Sequence, residues 1–192
     1  MSETKSGFLV LADISGFTAF LTATELEHGP PIIKELLEEV IRRIAPPLEI
    51  HGIEGDAIFA VGPDGTLLPP ASLRAVLRAG FEGFRVKQRE LAADESCDCR
   101  CCRSVDKLRL KAIGHYGAFV EYAVGGRLQV AGPAVILAHR MLKNGVTGAD
   151  YALLTRPALD HMDLDPVALG LAPHMERYEH FGEVECYVEQ VA

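Results

Sequence analysis

The sequence lacks the segments that would direct a chain into or across a membrane. No apolar run approaches the roughly 18 residues of a membrane-spanning helix, and residues 1–6 lack the basic-then-apolar order of a signal peptide. The 19 Lys and Arg residues form no run and the net charge is -8, whereas binding to nucleic acid needs clustered positive charge. These absences predict a cytoplasmic protein with neither a membrane nor a nucleic acid as partner.

The sequence also lacks a long low-complexity spacer, and its length of 192 residues predicts a single domain over residues 1–192. The five cysteines are an odd number, and four of them fall within residues 97–102. This usage fits a reducing compartment better than a disulfide framework.

Two stretches share one pattern, in which an apolar strand stands beside an aspartate. Residues 8–12 predict a buried strand that ends at Asp13, and Gly16 permits a tight turn into the next element. About forty residues later, Asp56 directly precedes the apolar strand 57–61. A strand-end carboxylate beside a helix N-terminus suits divalent cations and the phosphates that they carry. The alternative is that both aspartates only cap the elements that follow.

The periodicity of the remaining sequence alternates between helix and strand. Helices are predicted at 17–26, 31–44, 71–91, from 133 to a stop at 144–145, and at 157–162. Strands are predicted at 8–12, 48–53, 57–61, 108–116, 118–124, 127–131 and 151–154, with a terminal hairpin at 178–191. This order predicts an α+β fold with a mostly antiparallel sheet that is covered by helices on one face.

Four motifs occur in series, at residues 13–18, 55–61, 113–117 and 130–141. In this order and spacing they resemble the catalytic domain of class III adenylate and guanylate cyclases. The resemblance covers about residues 7–145, which leaves 150–192 as a C-terminal strand, helix and hairpin extension. It implies the ferredoxin-like class III nucleotidyl cyclase fold.

The resemblance also implies a metal and nucleotide site. Asp13 and Asp56 match the two aspartates that hold Mg²⁺ or Mn²⁺ in that family, and the resemblance implies that the backbone carbonyl of Ile14 would be a further ligand. The backbone at Gly16 and Phe17 would meet the phosphates of ATP or GTP. One ion would activate the ribose 3'-hydroxyl and the other would neutralise the triphosphate.

The recognition residues of the family, of which the second subunit supplies an asparagine and an arginine, are only partly present. Arg140 matches the arginine that stabilises the transition state, which implies a homodimer. Ile136 stands where the family has an asparagine that orients the ribose. Gln129 occupies the position that contacts the base in that family, and Gly52 occupies the position of the purine-selecting residue. A lost orienting donor costs roughly 10²- to 10³-fold in turnover. The chain is therefore expected to be either a divergent cyclase or a catalytically silent cyclase-homology domain that binds a nucleotide or a partner protein.

The cysteine-rich segment permits a second, separate metal site. Cys97, Cys99 and Cys102 have a spacing that partly matches zinc sites. A Zn²⁺ site would need two or three of these thiolates and a distant ligand such as Cys186 or a histidine, or it would be shared between subunits. The alternative is a set of reduced surface thiols.

Overall fold

The chain folds around one large sheet. In the computed structural model, residues 3–22, 27–65, 72–94, 97, 99–100 and 102–191 are described. The strands are β1 Thr4–Ser15, β2 Glu49–Glu54, β3 Ala57–Pro63, β4 Arg109–Val124, β5 Arg127–Ala131, β6 Asp150–Thr155, β7 Ala172–Tyr178 and β8 Gly182–Val191.

The helices agree with the periodicity in the sequence, except that the helix beginning at Pro133 ends at Arg140, before the predicted stop at 144–145. They are α1 Phe17–Thr22, α2 Gly29–Ile44, α3 Ser72–Ala92, α4 Pro133–Arg140 and α5 Arg156–His161, with a 3₁₀ helix at Cys102–Lys107. The last part of the predicted helix 17–26 and the start of the predicted helix 71–91 lie outside the described residues. None of the helices in the described ranges is long and apolar enough to cross a membrane.

The sheet has the order β2-β3-β1-β4-β6-β8-β7, with β5 paired to β4. Strands β1 to β4 with α2 and α3 form a β-α-β-β-α-β unit, in which β1 lies between β3 and β4. The pairs around β1 are antiparallel, and β4 runs parallel to β6. The predicted α+β fold, with its mostly antiparallel sheet, is confirmed.

Helices lie on both faces of this sheet, so the prediction of one covered face is wrong. Phe8, Val10 and Ala12 pack in the same core as α2, α3 and α5. Leu9 and Leu11 point to the opposite face, where they pack with apolar residues of α4. Because successive side chains of a strand alternate between faces, a strand that is apolar at every position needs a cover on each side.

Two predicted strand boundaries are also wrong. The strands predicted at 108–116 and 118–124 are one strand, β4, which runs through Gly117. A Cβ at position 117 would lie 2.6 Å from the Cβ of Ala134, so this glycine permits α4 to approach the sheet and does not end the strand. The terminal hairpin starts earlier than predicted because β7 is largely exposed and has no apolar alternation to reveal it.

His115 on β4 gives the protein a pH-dependent stability. Its side chain is buried, and its Nδ1 lies 2.9 Å from Thr155 Oγ1. Burial lowers the pKa of His115 to about 4, whereas an unfolded histidine titrates near 6.5. Between these values the unfolded chain binds more protons than the folded one, so stability falls as the pH falls.

We therefore expect the free energy of unfolding to decrease by about 3 kcal/mol between pH 7 and pH 4 through His115 alone. Urea unfolding at several pH values would measure it. The variant His115→Gln, which keeps a hydrogen-bonding side chain but does not titrate, should lose this part of the pH dependence. An unchanged pH profile in the variant would contradict this assignment.

Candidate functional site

Two carboxylates meet where β1 ends and β3 begins. The antiparallel register pairs Asp13 with Ala57, which places Asp56 beside Asp13. The backbone N–H of Ile14 donates to the carbonyl of Asp56 at 3.3 Å. Burial, together with the charge of Asp13 and a side-chain hydrogen bond to it, raises the pKa of Asp56 to about 6. The two predicted metal ligands therefore form one half-buried acidic pair.

A lysine that sequence analysis did not name contacts this pair. Lys111 Nζ lies 2.8 Å from Asp13 Oδ2 and donates to the carbonyl of Leu142 at 3.1 Å. The register of β1 on β4 sets Lys111 directly opposite Asp13. Only this cross-strand register identifies the lysine, because 98 residues separate the two positions in the chain. Its single positive charge offsets one of the two carboxylates.

The turn after Asp13 has the predicted glycine geometry. Gly16 has a φ of 90°, a conformation that glycine adopts without steric cost. Its carbonyl accepts from the backbone N–H of Phe20 at 2.9 Å and opens α1. Ile14 is buried on the strand, and Phe17 is the first residue of α1. The roles expected of Ile14, Gly16 and Phe17 toward a cation or phosphate stay predictions.

The residues matched to base contact and to the transition-state arginine lie on the surface of β5 and α4. Gln129 is exposed on β5, and its Nε2 donates to the adjacent carbonyl of Leu128 at 3.0 Å. It lines a cleft of about 620 Å³ that also contains His51 and Gly52. Arg140 is exposed at the end of α4, and it forms no ion pair with another residue of the described ranges.

Arg140 shares a second cleft, of about 720 Å³, with other basic side chains. Lys143 and Arg177 line it, as do Ile136 and Tyr178. Among the described residues, the Tyr178 hydroxyl is the buried side-chain polar atom without a hydrogen-bond partner. Glu176 also lines the cleft, so three basic side chains accompany one carboxylate, and this excess of positive charge suits an anionic ligand.

Large apolar side chains are exposed around the same two clefts. Ile53 and Leu128 line the first cleft and Ile136 lines the second, each about half exposed. Tyr122 and Val124 are also exposed, on the strand segment that pairs with β5. Clustered apolar side chains on a surface mark sites of protein contact.

Three cysteines and a histidine form a separate cluster that could hold a metal ion. The residues are His28, Cys97, Cys99 and Cys102, with one ligand atom from each lying within 4.8 Å of the others. The backbone N–H of Cys102 donates to Cys99 Sγ, and this bond together with the His28 contact lowers the pKa of Cys99 to about 7.

The residue that joins the three thiols in this cluster is a histidine and not Cys186. Cys186 is buried in β8, where its Sγ donates to the carbonyl of Val184 at 3.5 Å. The sequence predicts that a histidine is one possible distant ligand but does not indicate which of the seven histidines it is. His28 is separated from Cys97 by the whole of α2, the β2–β3 hairpin and α3, so spacing alone could not select it. Cys101 lies outside the described residues.

Comparison with solved structures shows that the fold is that of adenylyl and guanylyl cyclase domains of class III. The crystal structure of the adenylyl cyclase CyaB from P. aeruginosa matches with a TM-score of 0.74 and 15% identity, covering 100% of this chain and 97% of that one. The guanylyl cyclase Cya2 also has a TM-score of 0.74, with 16% identity and coverage of 97% and 92%. The guanylate cyclase domain of RhGC from Catenaria anguillulae, solved with GTP, has a TM-score of 0.69, 15% identity and 97% coverage of both chains.

By sequence, the chain belongs to the family described as "Protein of unknown function (DUF2652)", whose model matches residues 33–151. The uncharacterized protein Rv2561/Rv2562 of Mycobacterium tuberculosis is 31% identical over 163 residues, which is 82% of this chain and 73% of that protein. The family match runs from α2 into β6 and includes Asp56, Lys111 and Arg140, whereas Asp13 precedes it.

Proposed function

We propose that this protein is a divergent nucleotidyl cyclase-like domain that binds a purine nucleoside triphosphate, ATP or GTP, with Mg²⁺ or Mn²⁺ at a homodimer interface. One observation carries the proposal: Asp13 and Asp56 are in contact at adjoining strand ends of a cyclase fold. Two carboxylates in contact, of which one has a raised pKa, form an acidic site that one ammonium does not fully neutralise.

The donor set fits a hard divalent cation. Asp13 and Asp56 offer carboxylate oxygens, which Mg²⁺ and Mn²⁺ prefer over nitrogen or sulfur. When bound, such an ion lowers the pKa of a coordinated hydroxyl and neutralises phosphate charge. Lys111 must give up its contact with Asp13, or share that carboxylate, when the cation enters. Its ammonium then lies where it can offset the charge of an incoming phosphate.

The basic cleft supplies the groups that a triphosphate needs from a partner copy. Arg140, Lys143 and Arg177 line it together, and guanidinium and ammonium groups bind phosphate oxygens through charge-assisted hydrogen bonds. In the proposed dimer, this cleft of one copy faces Asp13 and Asp56 of the other. The exposed apolar residues Ile53 and Ile136 beside the clefts support the pairing, because dimer formation would bury them.

The same surface limits catalysis of cyclisation. In that reaction the ribose 3'-oxygen bonds to the α-phosphorus, the bond to the β-phosphate oxygen breaks, and the hydroxyl proton leaves. Arg140 would stabilise the charge that develops on the phosphate. The ribose must be oriented for in-line attack, and Ile136 has no group that can hydrogen-bond a hydroxyl. Slow turnover therefore belongs to the proposal.

Ile136→Asn should increase turnover by about 10²-fold, because it restores one orienting donor. Residue 136 is 53% exposed, so it accepts the amide without cost to the core. Initial rates of cyclic nucleotide release would measure the gain, with Ile136→Leu as the matched control that changes shape but adds no donor. An equal rate in both variants would show that orientation of the ribose does not limit the reaction.

A second candidate function is favoured by the ion pair of Lys111 with Asp13. If this pair persists when nucleotide is present, the domain is a catalytically silent cyclase-homology module that binds a nucleotide or a partner protein. The loss of the orienting donor at Ile136 fits this role as well.

Product analysis distinguishes the two functions. The purified protein is incubated with ATP or GTP, each with Mg²⁺ or Mn²⁺, and cyclic nucleotide and pyrophosphate are separated by chromatography. Cyclic product that disappears in Asp13→Asn would establish a cyclase. Metal-dependent nucleotide binding without cyclic product would show that the domain is a binding module. Absence of both nucleotide binding and cyclic product would refute the proposal.

A further inference from the structure

We propose that His28, Cys97, Cys99 and Cys102 bind one zinc ion in a closed structural site, independent of the nucleotide site. Four ligand atoms from two distant segments converge within 4.8 Å. Three thiolates and one imidazole complete a tetrahedral zinc shell, with no position left for water or substrate. Such a site is structural and takes no part in phosphate chemistry.

The distances have the scale of a zinc tetrahedron. His28 Nδ1 lies 3.2 Å from Cys99 Sγ and 3.3 Å from Cys97 Sγ. The Sγ atoms of Cys99 and Cys102 are 3.5 Å apart. With zinc bonds of roughly 2.0 to 2.3 Å, neighbouring ligand atoms of a tetrahedron lie about 3.3 to 3.8 Å apart. The cluster therefore needs only small adjustments to close around an ion.

The surroundings orient the ligands. The backbone N–H of Cys102 donates to Cys99 Sγ at 3.4 Å, a contact that stabilises a thiolate and fixes its direction. Cys99 and Cys102 pack against the main core. His28 holds the N-cap position of α2, yet its side chain makes no capping hydrogen bond and instead reaches the thiols. His28 therefore does not cap α2 with its side chain, which contacts Cys97 and Cys99 instead.

The site joins two parts of the chain that the sheet does not connect. His28 precedes α2, whereas Cys97 and Cys99 follow α3 and Cys102 begins the 3₁₀ helix that leads into β4. A zinc ion would cross-link both segments, and its binding free energy would add to the stability of the fold. Thiolate ligands select zinc, and the oxygen ligands of Asp13 and Asp56 select Mg²⁺ or Mn²⁺, so the two sites take different ions.

Metal analysis of the full chain tests the assignment. Protein expressed with zinc should contain one zinc ion per chain by plasma mass spectrometry. His28→Ala and Cys99→Ser should each weaken zinc binding by more than the roughly 10- to 100-fold that an outer-shell substitution costs. Cys186→Ser is the matched thiol control and should keep one zinc per chain. Zinc-free wild-type protein, or full zinc retention in both His28→Ala and Cys99→Ser, would overturn the proposal.

Two further measurements test the zinc site even if one of these variants folds poorly. Cobalt-substituted wild-type protein should show the visible absorption of tetrahedral Co²⁺ with thiolate charge-transfer bands. His28→Cys converts the set to four thiolates, so it should keep the metal and shift that spectrum. Removal of zinc by a chelator should lower the Tm of the wild type, and added zinc should restore it. A cobalt spectrum identical in His28→Cys and the wild type would exclude His28 as a ligand.

Discussion

Asp13→Asn and Asp56→Asn are each expected to weaken Mn²⁺-dependent nucleotide binding by at least about 100-fold, or about 2.7 kcal/mol, while the fold stays intact. Each substitution keeps the size of the side chain but removes a charge that the cation needs. Isothermal titration with Mn²⁺ and a non-hydrolysable ATP or GTP analogue would measure the loss. Affinity equal to that of the wild type in both variants would remove the cation site from the account.

The stability of these variants provides an independent check. The pKa of Asp56 is raised to about 6 by burial and by the neighbouring Asp13, whereas the carboxyl of an unfolded aspartate has a pKa of about 3.9. The metal-free fold therefore loses stability as the pH rises from about 4 to about 6, and the loss is complete at pH 7. Asp56→Asn should therefore unfold at higher urea concentration than the wild type at pH 7, and this advantage should disappear near pH 4. Loss of binding with unchanged or increased stability separates a ligand role from a folding role.

Lys111→Met should affect metal binding in the direction opposite to Asp13→Asn. It removes the ammonium that lies 2.8 Å from Asp13, so a cation no longer competes with an internal partner. Metal binding in the absence of nucleotide should become tighter. Weaker metal binding would show instead that Lys111 positions Asp13 for the ion.

Asp150→Ala should cost about 3 to 5 kcal/mol, the range for breaking a buried ion pair by removing one member. Asp150 is 3% exposed at the start of β6. Its carboxylate accepts from the backbone N–H of Leu110 at 2.7 Å and from Arg85 Nε at 2.8 Å. It thereby connects β6, β4 and α3, and the variant leaves the buried N–H of Leu110 without its acceptor and the partly buried Arg85 without this carboxylate.

Urea unfolding would measure the loss, and two variants calibrate it. Asp150→Asn retains an acceptor for Leu110 N and should cost less than Asp150→Ala. Glu38→Ala breaks the exposed pair with Lys34 on α2 and should change stability by less than about 1 kcal/mol. Equal, small effects of Asp150→Ala and Glu38→Ala would show that the buried pair does not hold these elements together.

Local patterns predicted much of the fold. The apolar positions of α2 repeat at the helical period, and its buried residues Ile32, Leu36 and Val40 are those that the period selects. The aspartates at positions 13 and 56 follow from strand patterns next to turn glycines, and the structure brings them together. Such features depend on neighbours within a few residues, which a sequence displays directly.

The contacts that could not be predicted from the sequence join residues that are far apart in the chain. Lys111 meets Asp13 only through the register of β4 on β1, and His28 reaches the cysteines only through the packing of α2 against α3 and the segment after it. The cover of α4 on the second face depends on Gly117, whose role is a close approach and not a turn. Each of these contacts is set by the tertiary fold rather than by local propensity.

A crystal structure with Mn²⁺ and a non-hydrolysable ATP or GTP analogue would show whether Asp13 and Asp56 hold a divalent cation together with a nucleoside triphosphate. We expect an anomalous manganese peak bonded to carboxylate oxygens of both aspartates, with Lys111 displaced from Asp13 or sharing it. We also expect Arg140 of a second copy beside the phosphates. Nucleotide bound without manganese at this pair, with the Lys111 contact intact, would show that the two aspartates do not form the cation site.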